Sequence, residues 1–181
     1  MANSEKTLDR ALSVELERSD AFLRWFLSQT GFADEVVQRV LIRSDSPWGK
    51  VEVRLWNAAS QSYEVASREG ETDLLIVLQS QRRGRFALHV ENKRSSGRFT
   101  AQQPELYRAR AAAWAGKAKY GDYEEWETVL VAPLSFYERN QYEARKFNRY
   151  ISHEEIAAHI PEFRVAVEQS IPGDGFKATR A

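Results

Sequence analysis

Residues 72–93 read TDLLIVLQSQRRGRFALHVENK. Thr72–Leu78 is a continuous apolar run, the pattern of a strand covered on both faces. Gln79–Arg85 forms a basic turn, and Arg85–Lys93 returns as a second strand. So short a link predicts an antiparallel pair. The start of the first strand then lies beside the end of the second, which brings Asp73 close to Glu91 and Lys93. Glu91 and Lys93 share a face because strand side chains alternate. Two carboxylates meeting near one lysine at the ends of apolar strands are costly unless something binds them. A hard cation such as Mg²⁺ fits that chemistry. The plainer alternative is a turn acid at Asp73 beside an exposed Glu91–Lys93 ion pair, a contact of about 0–1 kcal/mol.

Outward from this hairpin, residues 6–28 show Leu8, Leu12, Leu16 and Leu23 at helical spacing, with Ser19-Asp20 able to cap a second helix. A short helix is expected over 33–43, and a loop over 44–49. Val51–Trp56 alternates as a half-buried strand, with Tyr63–Val65 as its hairpin partner. A helix follows over 101–116, then a strand over Trp126–Ala132 closed by Pro133. An amphipathic helix is expected over 135–149, with Phe136, Tyr137, Tyr142 and Phe147 on or near one face. Ser152-His-Glu-Glu is a capping box opening a further helix that Pro161 interrupts, and the tail after Ile171 is expected to fray. The order predicts one α/β domain over 1–181 with a mixed central sheet flanked by helices. Its core spans about 10–135, with a C-terminal helical part over 135–170.

Composition narrows the function. The chain has no Cys, which excludes disulfides, a thiol nucleophile and Cys-ligated metals, and fits a reducing cytoplasmic setting. No apolar run is long enough for a membrane span, and MANSEKTLDRAL lacks a signal-peptide pattern. There is no Walker loop and no G-x-G-x-x-G. The formal charge is zero but unevenly spread, with net −4 over 1–79, +8 over 80–120 and −4 over 121–181. The cationic block falls on the hairpin and on the helix after it. His89 alternates with Glu91 and is read as packing near the site rather than as a ligand. His153 and His159 lack zinc-site spacing, and Phe99 and Trp114 read as core aromatics rather than base-stacking ones.

Asp73, an apolar strand, a hairpin and Glu91-Asn92-Lys93 together resemble the D…(D/E)-x-K signature of the PD-(D/E)XK nuclease superfamily. Thr72 stands where the signature has Pro. Gln103-Pro-Glu-Leu-Tyr107 is similar to the Q-x-x-x-Y element of its RecB-type branch, and the two residues share a helix face. Thr100-Ala-Gln-Gln also reads as a capping box, which would occupy Gln103 with backbone. The resemblance implies a restriction-endonuclease-like αβββαβ core and Mg²⁺ (or Mn²⁺) held by Asp73 and Glu91, with the Asn92 carbonyl as a further ligand. It implies one more carboxylate from the first helix, Glu15 in preference to Glu17, between which periodicity does not choose. Lys93 would position the attacking water or stabilise the transition state, while Gln103 and Tyr107 brace the site or contact DNA. The substrate implied is DNA, its phosphates met by Arg82, Arg83, Arg85, Arg94, Arg98 and Arg108, and a homodimer would supply two cleavage sites. The rival is the same fold kept as a non-catalytic module for nucleic-acid binding or protein assembly.

Overall fold

The computed structural model describes residues 4–41, 46–57 and 59–169. Part of the 44–49 loop, residues 42–43 of the helix expected over 33–43, and the tail after Ile171 lie outside them. The chain opens with α1 (Glu5–Arg18) and α2 (Asp20–Ser28). They are separate helices because the Ser19 side chain accepts the Phe22 N–H and caps the second, as the sequence predicts. The next element is β1 (Val37–Val40), where a helix was expected. It lies antiparallel along the sheet edge, and Leu41 N–H donates to Val77 O at 2.6 Å. The β-branched run Val36-Val37, with Val40, suits a strand and outweighs the helical spacing.

β2 (Trp48–Asn57) and β3 (Ser62–Glu71) pair with each other in a separate two-stranded ribbon. Strands β4 (Leu74–Ser80) and β5 (Gly84–Asn92) then form the expected antiparallel pair, with Leu74 opposite Val90 and Ser80 opposite Gly84. The eighteen positions from Asp73 to Glu91 are taken up by long strands, since only residues 81–83 separate them. After α3 (Gln103–Trp114) and a 3₁₀ turn over Ala118–Tyr120, β6 (Glu125–Ala132) runs parallel to β5. The helix expected over 135–149 is instead α4 (Leu134–Arg139), α5 (Gln141–Ala144) and the start of β7 (Arg149–Ser152), parallel to β6. Asn140 causes the break: its side-chain amide donates to Phe136 O at 2.8 Å and ends α4. Phe136 and Phe147 are buried as expected, but Tyr142 is exposed. α6 (His153–Ile156) begins on the predicted Ser152–Glu155 capping box, and α7 begins at Pro161 and ends at Glu168. Pro161 therefore starts a helix rather than kinking one, because its missing N–H is no loss in a first turn.

The main sheet is mixed, in the order β1-β4-β5-β6-β7, with helices on both faces. Alternation divides its core. Leu74, Ile76, Leu78, Phe86, Leu88 and Val90 pack against α1, α2 and α7. Leu75, Val77 and Ala87 pack against Trp114, Tyr120 and Tyr123, below the ribbon residues Val51 and Val53. Each such fully buried side chain contributes about 1.5–3 kcal/mol. Trp114 is stacked on Tyr120 with ring centroids 4.0 Å apart, and Phe99 packs on Phe136, so both are core aromatics. The ribbon passes closely over Trp114 because Gly49 has no Cβ, which would lie 2.7 Å from Trp114 Cζ2. No helix among the described residues is long and apolar enough to cross a membrane.

Candidate functional site

The strand register places Asp73, just before β4, beside the end of β5, and the side chains confirm it. Asp73 Oδ2 accepts the Asn92 N–H at 2.8 Å. Lys93 Nζ lies 2.5 Å from Glu91 Oε1, so the two do pair, but in a largely buried setting rather than on an exposed face. Gln103 Nε2 donates to the same Glu91 oxygen at 2.7 Å. Tyr107 Oη accepts the Asp73 N–H at 3.0 Å. Five residues singled out in the sequence thus come together: Asp73, Glu91, Lys93, Gln103 and Tyr107. Asp73, Glu91, Lys93 and Gln103 line a cavity of about 380 Å³, with Glu5 and Arg110 on its walls.

Gln103 serves the carboxylate and the backbone at once, but no capping box forms at Thr100: α3 begins at Gln103 after Gln102, whose side chain makes no capping bond. The Gln103 carbonyl Oε1 accepts the Thr100 N–H at 3.0 Å, while its amide reaches Glu91. Tyr107, fully buried, is braced four residues on along the same helix face. Tyr107→Phe leaves the Asp73 N–H without its acceptor. We expect a loss of about 1 kcal/mol, read as roughly 2–4 °C in Tm by calorimetry.

Burial, then the Glu91 and Asp9 carboxylates, push the Asp73 acid up to about 9, against the opposing pull of the Asn92 N–H and Lys93. Burial draws Lys93 downward, but Glu91, Asp73 and Glu5 outweigh it and hold the ammonium above its ordinary value. Lys93 is therefore a fixed positive charge. The second Glu91 oxygen, Oε2, is buried and makes no hydrogen bond of good geometry among the described residues, although the Tyr107 hydroxyl also lies against the Glu91 carboxylate. A buried Glu91 oxygen beside a carboxyl group raised first by burial and then by neighbouring carboxylates is chemistry that a cation would satisfy, and Asp73 and Glu91 fit such an ion. Among the described residues, no group of three or more His, Asp or Glu side chains is arranged to hold a metal ion.

The first helix contributes differently from expectation. Glu15 is half-buried farther along α1 and does not line the cavity, and Glu17 is exposed beside Lys6, Asp9, Arg10 and Ser13 on a separate depression. The acids near the site are Glu5 and Asp9, one turn apart at the start of α1. Glu5 accepts the Arg94 N–H at 3.3 Å. Asp9 approaches from the opposite face of the sheet. Its Oδ1 accepts the Asn92 side-chain N–H at 2.8 Å, while the Asn92 side-chain oxygen Oδ1 receives His153 Nε2–H at 2.9 Å. Burial raises Asp9 to about 7, with Asn92 opposing and Glu91, Glu5 and Glu71 adding to the rise. His153 is held near 3 by burial and so is neutral. The sequence shows Asn92 only as a spacer between Glu91 and Lys93, yet its side chain ties α1 to α6 beneath the site.

His89 shares the face of Glu91, as alternation predicts, and packs within the core. Tyr123 donates its hydroxyl to Ala111 O at 2.8 Å, so it accepts from His89 Nε2–H, also at 2.8 Å. Burial holds His89 near 3, uncharged, with the Arg110 charge adding to the effect.

The basic residues separate into two sets. Arg82, Arg83 and Arg85 lie at the β4–β5 turn, at the end of the strands opposite Asp73, roughly 20 Å away at 3.3 Å per residue. They do not surround the carboxylates. Arg82 and Arg83 both bind the buried Glu35 carboxylate, Arg83 at 2.7 Å, and Arg83 also meets Glu125 at 2.5 Å. Those guanidinium groups hold Glu35 down to about 2, with burial opposing and Ser80 assisting. Arg85 donates to Gly121 O and lies 3.6 Å from Asp122. Arg94, half-buried, and Arg98, exposed, follow Lys93 at the site end of β5, and Arg108 is exposed on α3. Arg110 is nearly fully buried against the cavity.

Comparison of the chain with protein-family models, with curated proteins and with solved structures finds no match.

Proposed function

We propose that the chain is a metal-dependent nuclease with a restriction-endonuclease-like core, hydrolysing phosphodiester bonds of DNA. The observation that carries this reading is the meeting of Asp73 and Glu91 with Lys93 at adjacent strand ends, in a buried setting that raises the Asp73 acid. The element order supports it: a leading helix, antiparallel strands β1, β4 and β5 in sheet order, a helix, and a strand parallel to β5. The ribbon β2–β3 is then an insertion between the first two core strands.

In this reading Asp73 and Glu91, with the Asn92 carbonyl, would hold Mg²⁺ or Mn²⁺. Such an ion supplies Lewis-acid stabilisation and lowers the pKa of water. Lys93, held charged, orients the attacking water and offsets negative charge developing on the phosphate. Gln103 keeps the Glu91 carboxylate in place, and Tyr107 fixes the backbone at Asp73. The helix residue on the wall of this cavity is Glu5 rather than Glu15, as a neighbouring charge and not as a third ligand to the ion. The DNA contacts pass to Arg94, Arg98 and Arg108, because the acids around Arg82, Arg83 and Arg85 already neutralise them. A homodimer belongs to the same reading, since double-strand cleavage by one small domain needs a second site.

A second reading is favoured by one observation, that no group of three metal-ligating side chains stands among the described residues. It keeps the fold as a non-catalytic module that binds nucleic acid or assembles with protein. Incubation of plasmid and single-stranded DNA with the protein under Mg²⁺ or Mn²⁺ separates the two. The nuclease reading expects cleavage that Asp73→Ala and Lys93→Ala each reduce by at least about 10²–10³-fold, the usual size for loss of a charge-stabilising group. Binding without cleavage by the wild-type chain would favour the module.

A further inference from the structure

We propose that Arg110 is the phosphate-binding residue of the Asp73–Glu91 cavity, its guanidinium taking a non-bridging oxygen of the phosphodiester placed there. The proposal rests on the nuclease reading for its substrate, but its geometry stands apart. Gln103, Tyr107 and Arg110 follow one another at i, i+4 and i+7, one face of α3. The first two reach the carboxylate centre, Gln103 through its amide to Glu91 and Tyr107 through its hydroxyl at the Asp73 N–H. Arg110 does not: only 3% of it is exposed, and its Nε is buried with no hydrogen-bond partner. It forms no ion pair with either carboxylate, although it lines the same cavity. Glu91 Oε1 is already taken by Lys93 and Gln103, and Asp73 Oδ2 by the Asn92 N–H.

A buried guanidinium N–H without an acceptor, here Nε, is unfavourable in a folded chain. Here the Tyr107 ring, 4.5 Å from its central carbon, supplies partial compensation through its π face. The ribbon is also shaped to admit it. Gly49 and Gly70 are paired across β2 and β3, and a Cβ on Gly70 would lie 2.8 Å from Arg110 Nη1. A planar fork of donors, held rigid by a ring below and a bare backbone above, matches the geometry of phosphate oxygens. Lys93 and Arg110 then stand on the walls of one cavity with the two carboxylates, a charge arrangement suited to an anionic substrate and a cation together.

The test uses the full chain with Arg110→Met, which keeps the apolar stem, Arg110→Lys, and Gly70→Ala. Inorganic phosphate at matched ionic strength is the first probe, read by thermal shift. We expect a saturable rise in Tm for the wild type, none for Arg110→Met, and an intermediate rise for Arg110→Lys. The second readout is cleavage kinetics on DNA. Arg110→Met should lower kcat/KM by about 10–150-fold, with Arg110→Lys recovering part and Gly70→Ala falling between. A phosphate response that is absent in the wild type or equal in Arg110→Met overturns the proposal. So does wild-type-like kcat/KM in a folded Arg110→Met. If no variant, wild type included, cleaves DNA, the nuclease reading falls, and the phosphate titration alone decides for or against the anion site.

Discussion

Asp73→Asn is expected to melt at a higher temperature than the wild-type chain at pH 8 without divalent ions, while losing Mg²⁺-dependent cleavage. In the folded chain, burial and the neighbouring Glu91 and Asp9 carboxylates raise Asp73 from an ordinary 3.8 to about 9. Between those values the folded state keeps a proton that the unfolded state has released. Stability therefore falls as pH rises through this window. Asp9, raised to about 7, adds to the decline over its lower part. Asparagine retains an oxygen to accept the Asn92 N–H but carries no charge to bury. We expect a gain of about 1–3 kcal/mol at pH 8, or several degrees in Tm, and a flatter pH profile. Millimolar Mg²⁺ should narrow the gap, because the ion binds the folded wild type only. A variant that melts lower than the wild type at pH 8 would show that the Asp73 carboxylate is not strained by its surroundings.

The largest loss of stability is expected from Asn92→Leu. Leucine fills a similar volume but can neither donate to Asp9 nor accept from His153. Asn92 and His153 are almost wholly buried and Asp9 nearly so, and among the described residues no other hydrogen-bond partner serves the Asp9 carboxylate or His153 Nε2. The substitution strands an acid and an imidazole between α1, β5 and α6. Orphaned buried polar groups of this kind cost about 1–3 kcal/mol each, and more where one can ionise. A combined loss of about 3 kcal/mol or more is expected in urea denaturation. The Asn92 N–H to Asp73 survives, because it is backbone. The damage to cleavage should therefore be secondary to unfolding and should recede at low temperature. A loss below about 1 kcal/mol would mean that water replaces the bridge.

The parts of the fold readable from sequence are those whose signal is local. The unbroken apolar runs of Thr72–Leu78 and Phe86–Val90 announce central strands, and the short basic link fixes their pairing and hence the approach of Asp73 to Glu91. Ser19 and Ser152 mark helix starts through bonds that span three residues. Gln103 and Tyr107 are picked out by their likeness to a Q-x-x-x-Y element, and helical periodicity sets them on one face. The errors lie where distant contacts decide. Nothing near Val37 says that an edge of β4 is open to it, so helical spacing was misleading there. The alternation of Val51–Trp56 shows a strand but not whether it joins the main sheet or pairs only with its own hairpin partner. Arg82 and Arg83 look like free cations until Glu35, more than forty residues earlier, folds against them. Arg110 stands in the cationic block beside Arg108, and nothing local marks it as the one that is buried. The Leu8–Leu12–Leu16 stripe identifies the buried face of α1 but not which of its acids falls level with the ends of β4 and β5. Glu15 and Glu17 lie too far along the helix, while Glu5 and Asp9 are level with them.

Isothermal titration with Mn²⁺ in buffers of different ionisation enthalpy bears most directly on the central claim, that Asp73 and Glu91 jointly hold a divalent cation. The account predicts a carboxylate site that is lost in both Asp73→Asn and Glu91→Gln. It also predicts proton release at pH 7 that comes mainly from the raised Asp73 acid and an affinity that grows with pH. Absence of binding in the wild type, or binding that survives both substitutions, would contradict it.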